Sequence, residues 1–191
     1  MTWSLSVDDF EWDEFFWTTS VTVDSWRHFT YTWGEPVKIR DARPTGGSQL
    51  VFAPEGRGAG PLTPDEVALM QWFVDHAEDV TTAVLDAIFL AYPEAQEEFR
   101  DFAGADTVPD VASPRELRHL LGTPSVNVHN IDTDGVPYIG FGMDCPWDQE
   151  HGVGVLLHGT RVVAVGGGDV AVLRWIARRD AESTDRDDAE A

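Results

Sequence analysis

The chain has 191 residues, of which 42% are hydrophobic and 11% aromatic, enough to build one folded domain with a real core. Its formal net charge of -21 argues against nucleic acid or an anionic membrane as a partner, because neutralising phosphates requires clustered Lys and Arg. The same charge favours a cationic partner, steering toward a basic surface, or a solvated acidic surface without a partner.

Cysteine content and the N-terminus indicate a compartment. Cys145 is the only cysteine, so no intrachain disulfide is expected and an oxidising compartment is not indicated. The N-terminal segment Met1–Ser4 leads directly into acidic residues, so no signal peptide is predicted. No apolar run approaches the roughly 18 residues that a membrane-spanning helix needs. We therefore expect a cytoplasmic protein.

Residues 1–20 form a segment rich in acids and large aromatics, predicted to be an amphipathic lead-in to one domain that spans residues 1–179. The acids are Asp8, Asp9, Glu11, Asp13 and Glu14. Aromatic contact area combined with acidic steering suits an interface with a basic partner, so these five acids are candidate partner-binding residues. The alternative is that the aromatics belong to the core and the acids face water.

The next part of the chain alternates between strand and loop patterns. Val21–Trp33 carries β-branched and aromatic residues in rough alternation, which predicts a strand, and Pro36–Arg40 is predicted as a second, short strand. Residues 42–61 are rich in Gly and Pro and predict a loop, interrupted only by the apolar run Leu50–Ala53.

Helical patterns begin at Thr63. The segment Thr63–Glu66 has the composition of a capping box, and the apolar stripe that follows predicts one long helix or two consecutive helices over residues 63–92. Pro93 is expected to end or kink it. A second capping pattern at Ser113–Glu116 predicts a short helix that stops at Gly122.

From Ser125 the apolar period changes to two, which predicts an antiparallel meander of about four strands. The turn between the first two is Asp132–Gly135, a tetrad suited to a hairpin. The predicted strands are Ser125–Ile131, Val136–Met143, Gly152–Leu157 and Arg161–Val165.

The C-terminal part is predicted to be a helix and a tail. Gly166–Gly168 reads as a flexible joint into a helix from Asp169 to about Arg179, and the charged residues 180–191 are predicted to be disordered. The fold class is therefore α+β, a mostly antiparallel sheet with a long helix or helix pair and a C-terminal helix packed on it.

The densest polar cluster lies at residues 144–152, between two predicted strands. Asp148, Glu150 and His151 are of the types that bind divalent ions. Their spacing matches no recognised ligand motif, so neither a metal nor a cofactor is predicted.

The same cluster also has a purely structural interpretation. Asp148 suits accepting backbone N–H groups in a tight connection, Trp147 suits covering the core, and Gly152 suits a backbone conformation that other residues resist. Cys145 precedes a proline and lacks an evident base, which favours a buried apolar side chain over a catalytic thiol. No catalytic residue is predicted.

One stretch is similar to a known family. Tyr138–Val155, followed by His158, Arg161–Val163 and Gly166, resembles a family of uncharacterised bacterial proteins with a C-terminal signature of the form W-D-x-E-H-G-x-G-V. The resemblance covers most of residues 20–175. The family offers no established catalytic residues. The positions that match the signature, Trp147, Asp148, Glu150, His151 and Gly152, are candidate functional or structural residues.

Relatives of this general kind occur in contact-dependent and polymorphic toxin loci, so the resemblance implies an immunity-like role for some of them. Combined with the charge, it leads to the hypothesis of a non-enzymatic acidic protein that sequesters a cationic toxin domain by covering its basic face. One alternative is a metal-dependent protein or hydrolase built around Asp148, Glu150 and His151. Another is a structural or regulatory module. The oligomeric state is left open.

Overall fold

The computed structural model describes residues 4–32, 46–53, 55–103 and 108–189, which form seven strands and two α-helices. The predicted strand Pro36–Arg40 lies outside the described residues. The strands are β1 (Glu11–Trp12), β2 (Trp17–Thr22), β3 (Gly47–Phe52), β4 (Ser125–Thr133), β5 (Val136–Met143), β6 (Val153–His158) and β7 (Arg161–Gly166); the helices are α1 (Pro64–Ala103) and α2 (Arg174–Ala189).

The seven strands form one sheet whose spatial order equals their order along the chain. Every neighbouring pair is antiparallel except β3 and β4, which are parallel, with Leu50 opposite Val126 and Phe52 opposite Val128. A parallel pair needs a long crossover connection, and α1 lies in that connection. The predicted α+β class, the C-terminal run of four strands, the long helix and the C-terminal helix are confirmed.

The start of α1 is held by a capping box and a partly buried ion pair. The backbone N–H of Thr63 donates to Glu66 Oε2 at 2.8 Å, and the N–H of Glu66 donates back to Thr63 Oγ1 at 3.3 Å. Arg57 Nε and Nη2 donate to the two oxygens of Glu66 at 2.9 and 2.8 Å. Arg57 also donates to the carbonyls of Gly58 and Pro61, so one guanidinium ties the Gly/Pro-rich loop to the first turn of α1.

The main core lies between α1 and one face of the sheet. Alternate residues of β5, Ile139 and Phe141, point into it and meet Phe73 of α1, whose ring centroid lies 6.0 Å from that of Phe141. Trp26 is fully buried there, and its Nε1 donates to Thr81 Oγ1 at 2.9 Å. The N–H of the buried indole is therefore hydrogen-bonded.

The opposite face of the sheet carries a glycine-lined floor on which the turn Gly168–Ala171 packs. A Cβ built on Gly140 would lie 1.9 Å from the carbonyl oxygen of Ala171, and one on Gly154 would lie 2.4 Å from that of Gly167. His129 Nε2 lies 3.0 Å from the Ala171 oxygen. Because that carbonyl can only accept, Nε2 carries the proton, and burial lowers the pKa of this imidazole.

Two N-terminal predictions are wrong. The strand predicted at Val21–Trp33 is instead the end of β2 followed by a 3₁₀ turn, Asp24–His28, because this turn buries Trp26. The predicted loop of residues 42–61 contains β3, since residues 50–52 of the apolar run that interrupts this loop pair between β2 and β4. Pairing with distant segments makes this short run a strand.

The first half of α1 matches the prediction, but the helix continues beyond Pro93 to Ala103. Its last turns keep contacts with the body: Tyr92 is buried, and Arg100 Nη2 donates to the Val108 carbonyl at 2.9 Å. The short helix predicted from Ser113 is a 3₁₀ turn at Glu116–His119.

The C-terminal part of the chain packs closely on the sheet. The joint Gly166–Gly168 is closely packed, since Gly168 N donates to the His151 carbonyl at 3.1 Å. Helix α2 runs to Ala189 and so extends into residues 180–191, the segment predicted as a disordered tail. Asp180 accepts hydrogen bonds from Tyr138 at 2.7 Å and from Arg161 at 3.1 Å, which fastens the helix to the sheet. Within the described residues, no helix is long and apolar enough to cross a membrane.

Adding one methyl group to the glycine floor tests the packing of this face. Gly140→Ala is expected to lower the free energy of unfolding by about 3 kcal/mol or more, because the methyl overlaps the Ala171 backbone. Gly58→Ala is the matched control, since its Cβ would have no atom within 4 Å, and its stability should stay within ~1 kcal/mol of the parent. Urea denaturation checks both. Equal losses in the two variants would contradict the packing.

The Arg57–Glu66 pair makes a pH-dependent contribution to stability. Hydrogen bonds from Arg57 lower the pKa of Glu66. The stability that ionised Glu66 contributes is therefore present above its pKa in the unfolded chain, and it is lost as the pH falls through its pKa in the folded protein. Glu66→Gln should cost about 1–3 kcal/mol at pH 7. The difference from the parent should shrink below about pH 4. Unfolding curves at pH 7 and pH 3.5 measure this, with the exposed Glu97→Gln as control. A gap that persists at acid pH would contradict the assignment.

Candidate functional site

The signature loop (residues 144–152) connects β5 to β6, and Asp148 organises it. Asp148 Oδ1 accepts the backbone N–H of His151 at 3.0 Å, and the Asp148 carbonyl accepts the N–H of Gly152 at 2.9 Å. Gly152 has φ of +69°, and a Cβ there would lie 2.5 Å from the Met143 oxygen. Asp148 and Gly152 therefore hold the loop in shape, as the structural interpretation of the sequence predicts.

Trp147 fastens the signature loop to α1. The indole is buried, and its ring meets that of Tyr92 edge-on with centroids 5.2 Å apart. Tyr92 Oη donates to the Pro109 carbonyl at 2.9 Å, and burial raises the pKa of this phenol to about 12. The phenol is therefore neutral at physiological pH, and the pair closes the core at this end of the sheet.

The polar side chains of the signature loop are only partly brought together. His151 Nδ1 lies 3.2 Å from Asp148 Oδ1, with the imidazole largely exposed, and Glu150 is exposed. In the described part of the chain, no group of three or more His, Cys, Asp and Glu side chains is placed to hold a metal ion. The arrangement orients one imidazole beside one carboxylate at the surface.

A cavity of about 340 Å³ lies between the signature loop and the second half of α1. We call it the aromatic–acidic cavity, defined by the rings of Tyr92, Phe99 and Trp147 and the carboxylates of Glu94, Glu98 and Asp148. The backbone at Gly166 and Gly167 borders it from β7. Sequence reasoning did not identify Glu94, Phe99 or Glu98, because helix α1 was expected to end or kink at Pro93.

The N-terminal candidates lie on and around the β1–β2 hairpin. Its tip (residues 13–16) is held by Asp13, whose Oδ1 accepts the N–H groups of Phe15 at 3.0 Å and Phe16 at 2.7 Å. Glu14 has φ of +84°, which is unusual for a residue with a side chain. The Phe15 ring is 68% exposed, the second largest exposure among the large hydrophobic side chains described.

All five acids of this segment are exposed. Asp9 has a local structural role, since its Oδ2 accepts the N–H of Ser6 at 2.7 Å. The aromatics divide between two roles: Phe10 is buried, whereas Phe15 faces solvent. The segment is attached to α1 by the N–H of Leu5, which donates to Gln71 Oε1 at 2.6 Å.

Cys145 is placed as a core residue. Its side chain is fully buried, with Sγ 3.6 Å from the Asp148 carbonyl, and burial raises the pKa of the thiol to about 12. Because the thiolate is the reactive form, the folded protein should resist alkylation.

Iodoacetamide at pH 8.5 tests this placement. We expect the folded protein to remain unmodified over a time in which the urea-unfolded chain is fully alkylated at its single cysteine, as followed by mass spectrometry. Modification at comparable rates in the two states would contradict a buried thiol.

Comparison with known families is consistent with the resemblance noted in the sequence. A family model described as a domain of unknown function, DUF6985, matches residues 20–173. This range begins within β2 and ends just before α2, so it includes the signature loop and the aromatic–acidic cavity. No curated protein and no solved structure matches the chain. The chain belongs to the DUF6985 family of domains of unknown function.

Proposed function

We propose that this chain is a non-enzymatic binding protein for a basic protein, and that it acts as an immunity-type protein that sequesters a cationic toxin domain. The observation that carries the proposal is the hairpin tip, where the exposed Phe15 directly follows two exposed acids, Asp13 and Glu14. Aromatic rings supply contact energy at protein interfaces, and the surrounding charges set the sign of the partner.

The hairpin tip is suited to binding because its shape is fixed before a partner arrives. Two hydrogen bonds to Asp13 hold the turn, and Glu14 keeps a positive φ that costs of order 1 kcal/mol or more. A rigid tip loses little conformational entropy on binding.

Charge across the rest of the molecule supports the same partner class. The middle turns of α1 expose Asp75, Glu78, Asp79 and Asp86, and the whole chain carries a net charge of -21. A field of this size accelerates association with a basic surface and disfavours acidic partners. The toxin domain itself is proposed from the W-D-x-E-H-G-x-G-V signature, because the resemblance implies an immunity-like role for some proteins of this kind.

A growth assay tests the proposal. The product of the neighbouring gene is expressed in a bacterial host with or without this chain, and protection is measured as colony counts. We expect the parent chain to protect. We expect the combined variant Glu11→Gln, Glu14→Asn and Phe15→Ala to protect at least ten-fold less, because it removes the ring and two charges.

Asp134→Asn is the matched control, since it removes an exposed acid with φ of +54° from the tip of another hairpin. Asn tolerates a positive φ, which is also why Glu14 is replaced by Asn in the combined variant. The control should protect like the parent. A neighbouring product that is not toxic, or full protection by the hairpin variant, would contradict the proposal.

A further inference from the structure

The aromatic–acidic cavity combines two kinds of wall in one concave site. Tyr92, Phe99 and Trp147 supply aromatic surface, and Glu94, Glu98 and Asp148 supply carboxylates. Its volume of about 340 Å³ falls within the range of sites that enclose a ligand or a side chain. The cavity opens to solvent beside the second half of α1, where Glu94 and Glu98 are exposed.

The charges around the cavity are unbalanced. Glu94 and Glu98 are four residues apart on α1, so two like charges share one helix face, an arrangement that destabilises a helix. Asp148 adds a third carboxylate from the signature loop. Among the described residues that line the cavity there is no Lys, Arg or His. A cation that enters would relieve this repulsion.

We propose that the aromatic–acidic cavity binds an arginine side chain of the basic protein partner. The source of the arginine rests on the proposed function, whereas the preference for a guanidinium rests on the cavity itself. A guanidinium stacks on aromatic rings through its flat face and donates paired hydrogen bonds to carboxylates through its edge. An arginine seated among rings and acids also matches the residues that dominate binding energy at protein interfaces.

The walls favour arginine over the other candidates. A lysine ammonium is a compact, strongly hydrated charge that gains less from a flat aromatic wall. A neutral apolar side chain would fill the space but would leave the two carboxylates of Glu94 and Glu98 without a counter-charge. The burial of the Trp147–Tyr92 pair keeps the aromatic wall fixed, so the site is formed before the ligand arrives.

The probe is N-acetyl-arginine methylamide, titrated into the purified full chain and followed by the indole N–H resonance of Trp147 in proton–nitrogen NMR spectra. Trp147→Phe identifies that resonance. The neutral analogue N-acetyl-citrulline methylamide has nearly the same shape and serves as the matched ligand. We expect saturable shifts with the arginine probe and binding at least about ten-fold weaker with the citrulline probe.

Variants of α1 locate the charge requirement. Glu94→Gln and Glu98→Gln should each weaken binding of the arginine probe about three-fold, and the double variant about ten-fold. Glu97→Gln is the matched control, because Glu97 is an exposed acid on the same helix that does not line the cavity. Urea midpoints confirm that all variants are folded.

Equal binding of the citrulline and arginine probes, no shift with the arginine probe, or an equal loss in the Glu97 control would overturn the inference. Its failure is distinct from failure of the proposed function. If protection in the growth assay depends on Phe15 but not on Glu94 and Glu98, the proposed function is supported and the arginine site is contradicted. If the chain binds the arginine probe but gives no protection, the arginine site is supported and the proposed function is contradicted.

Discussion

The parallel pairing of β3 with β4 is the constraint on which the rest of the molecule depends. A parallel pair cannot be closed by a tight turn, so the chain must cross the sheet between the two strands, and α1 is the main element of that crossing. The crossing covers one face and creates the main core. It also carries 40 residues, about 60 Å of helix, to the end of the sheet where the signature loop lies. The aromatic–acidic cavity exists because α1 continues past Pro93 to reach that loop.

The two faces of the sheet are built by different means. On the α1 face, large side chains such as Phe73 and Phe141 interlock. On the α2 face, Gly140 and Gly154 bring backbone against backbone, which leaves no room for a side chain. The signature loop contacts the elements that cover both faces. Trp147 packs on α1, and the His151 carbonyl accepts a hydrogen bond from the N–H of Gly168, in the turn that covers the other face. The W-D-x-E-H-G motif thus has a structural reason as well as a proposed role beside the cavity.

Sequence reasoning succeeded where structure is local. The strands of the meander follow alternating patterns, and their first turn places Asp134 and Gly135 at φ of +54° and +76°, as a two-residue hairpin requires. It failed where distant segments decide the outcome. β3 is a strand because β2 and β4 flank it, and α2 continues past Arg179, where Asp180 accepts hydrogen bonds from Arg161 and Tyr138. The cavity escaped notice because two of its acids, Glu94 and Glu98, lie beyond Pro93, where the sequence predicts that the helix ends or kinks.

The central claim is that this acidic surface binds a basic protein. The most direct measurement is the dissociation constant between the purified chain and the product of its neighbouring gene, determined by titration calorimetry at low and high salt. The account predicts a stable complex at about 50 mM salt that weakens at least ten-fold near 500 mM, because salt screens the attraction between opposite charges. No association at low salt, or an affinity that salt does not change, would contradict it.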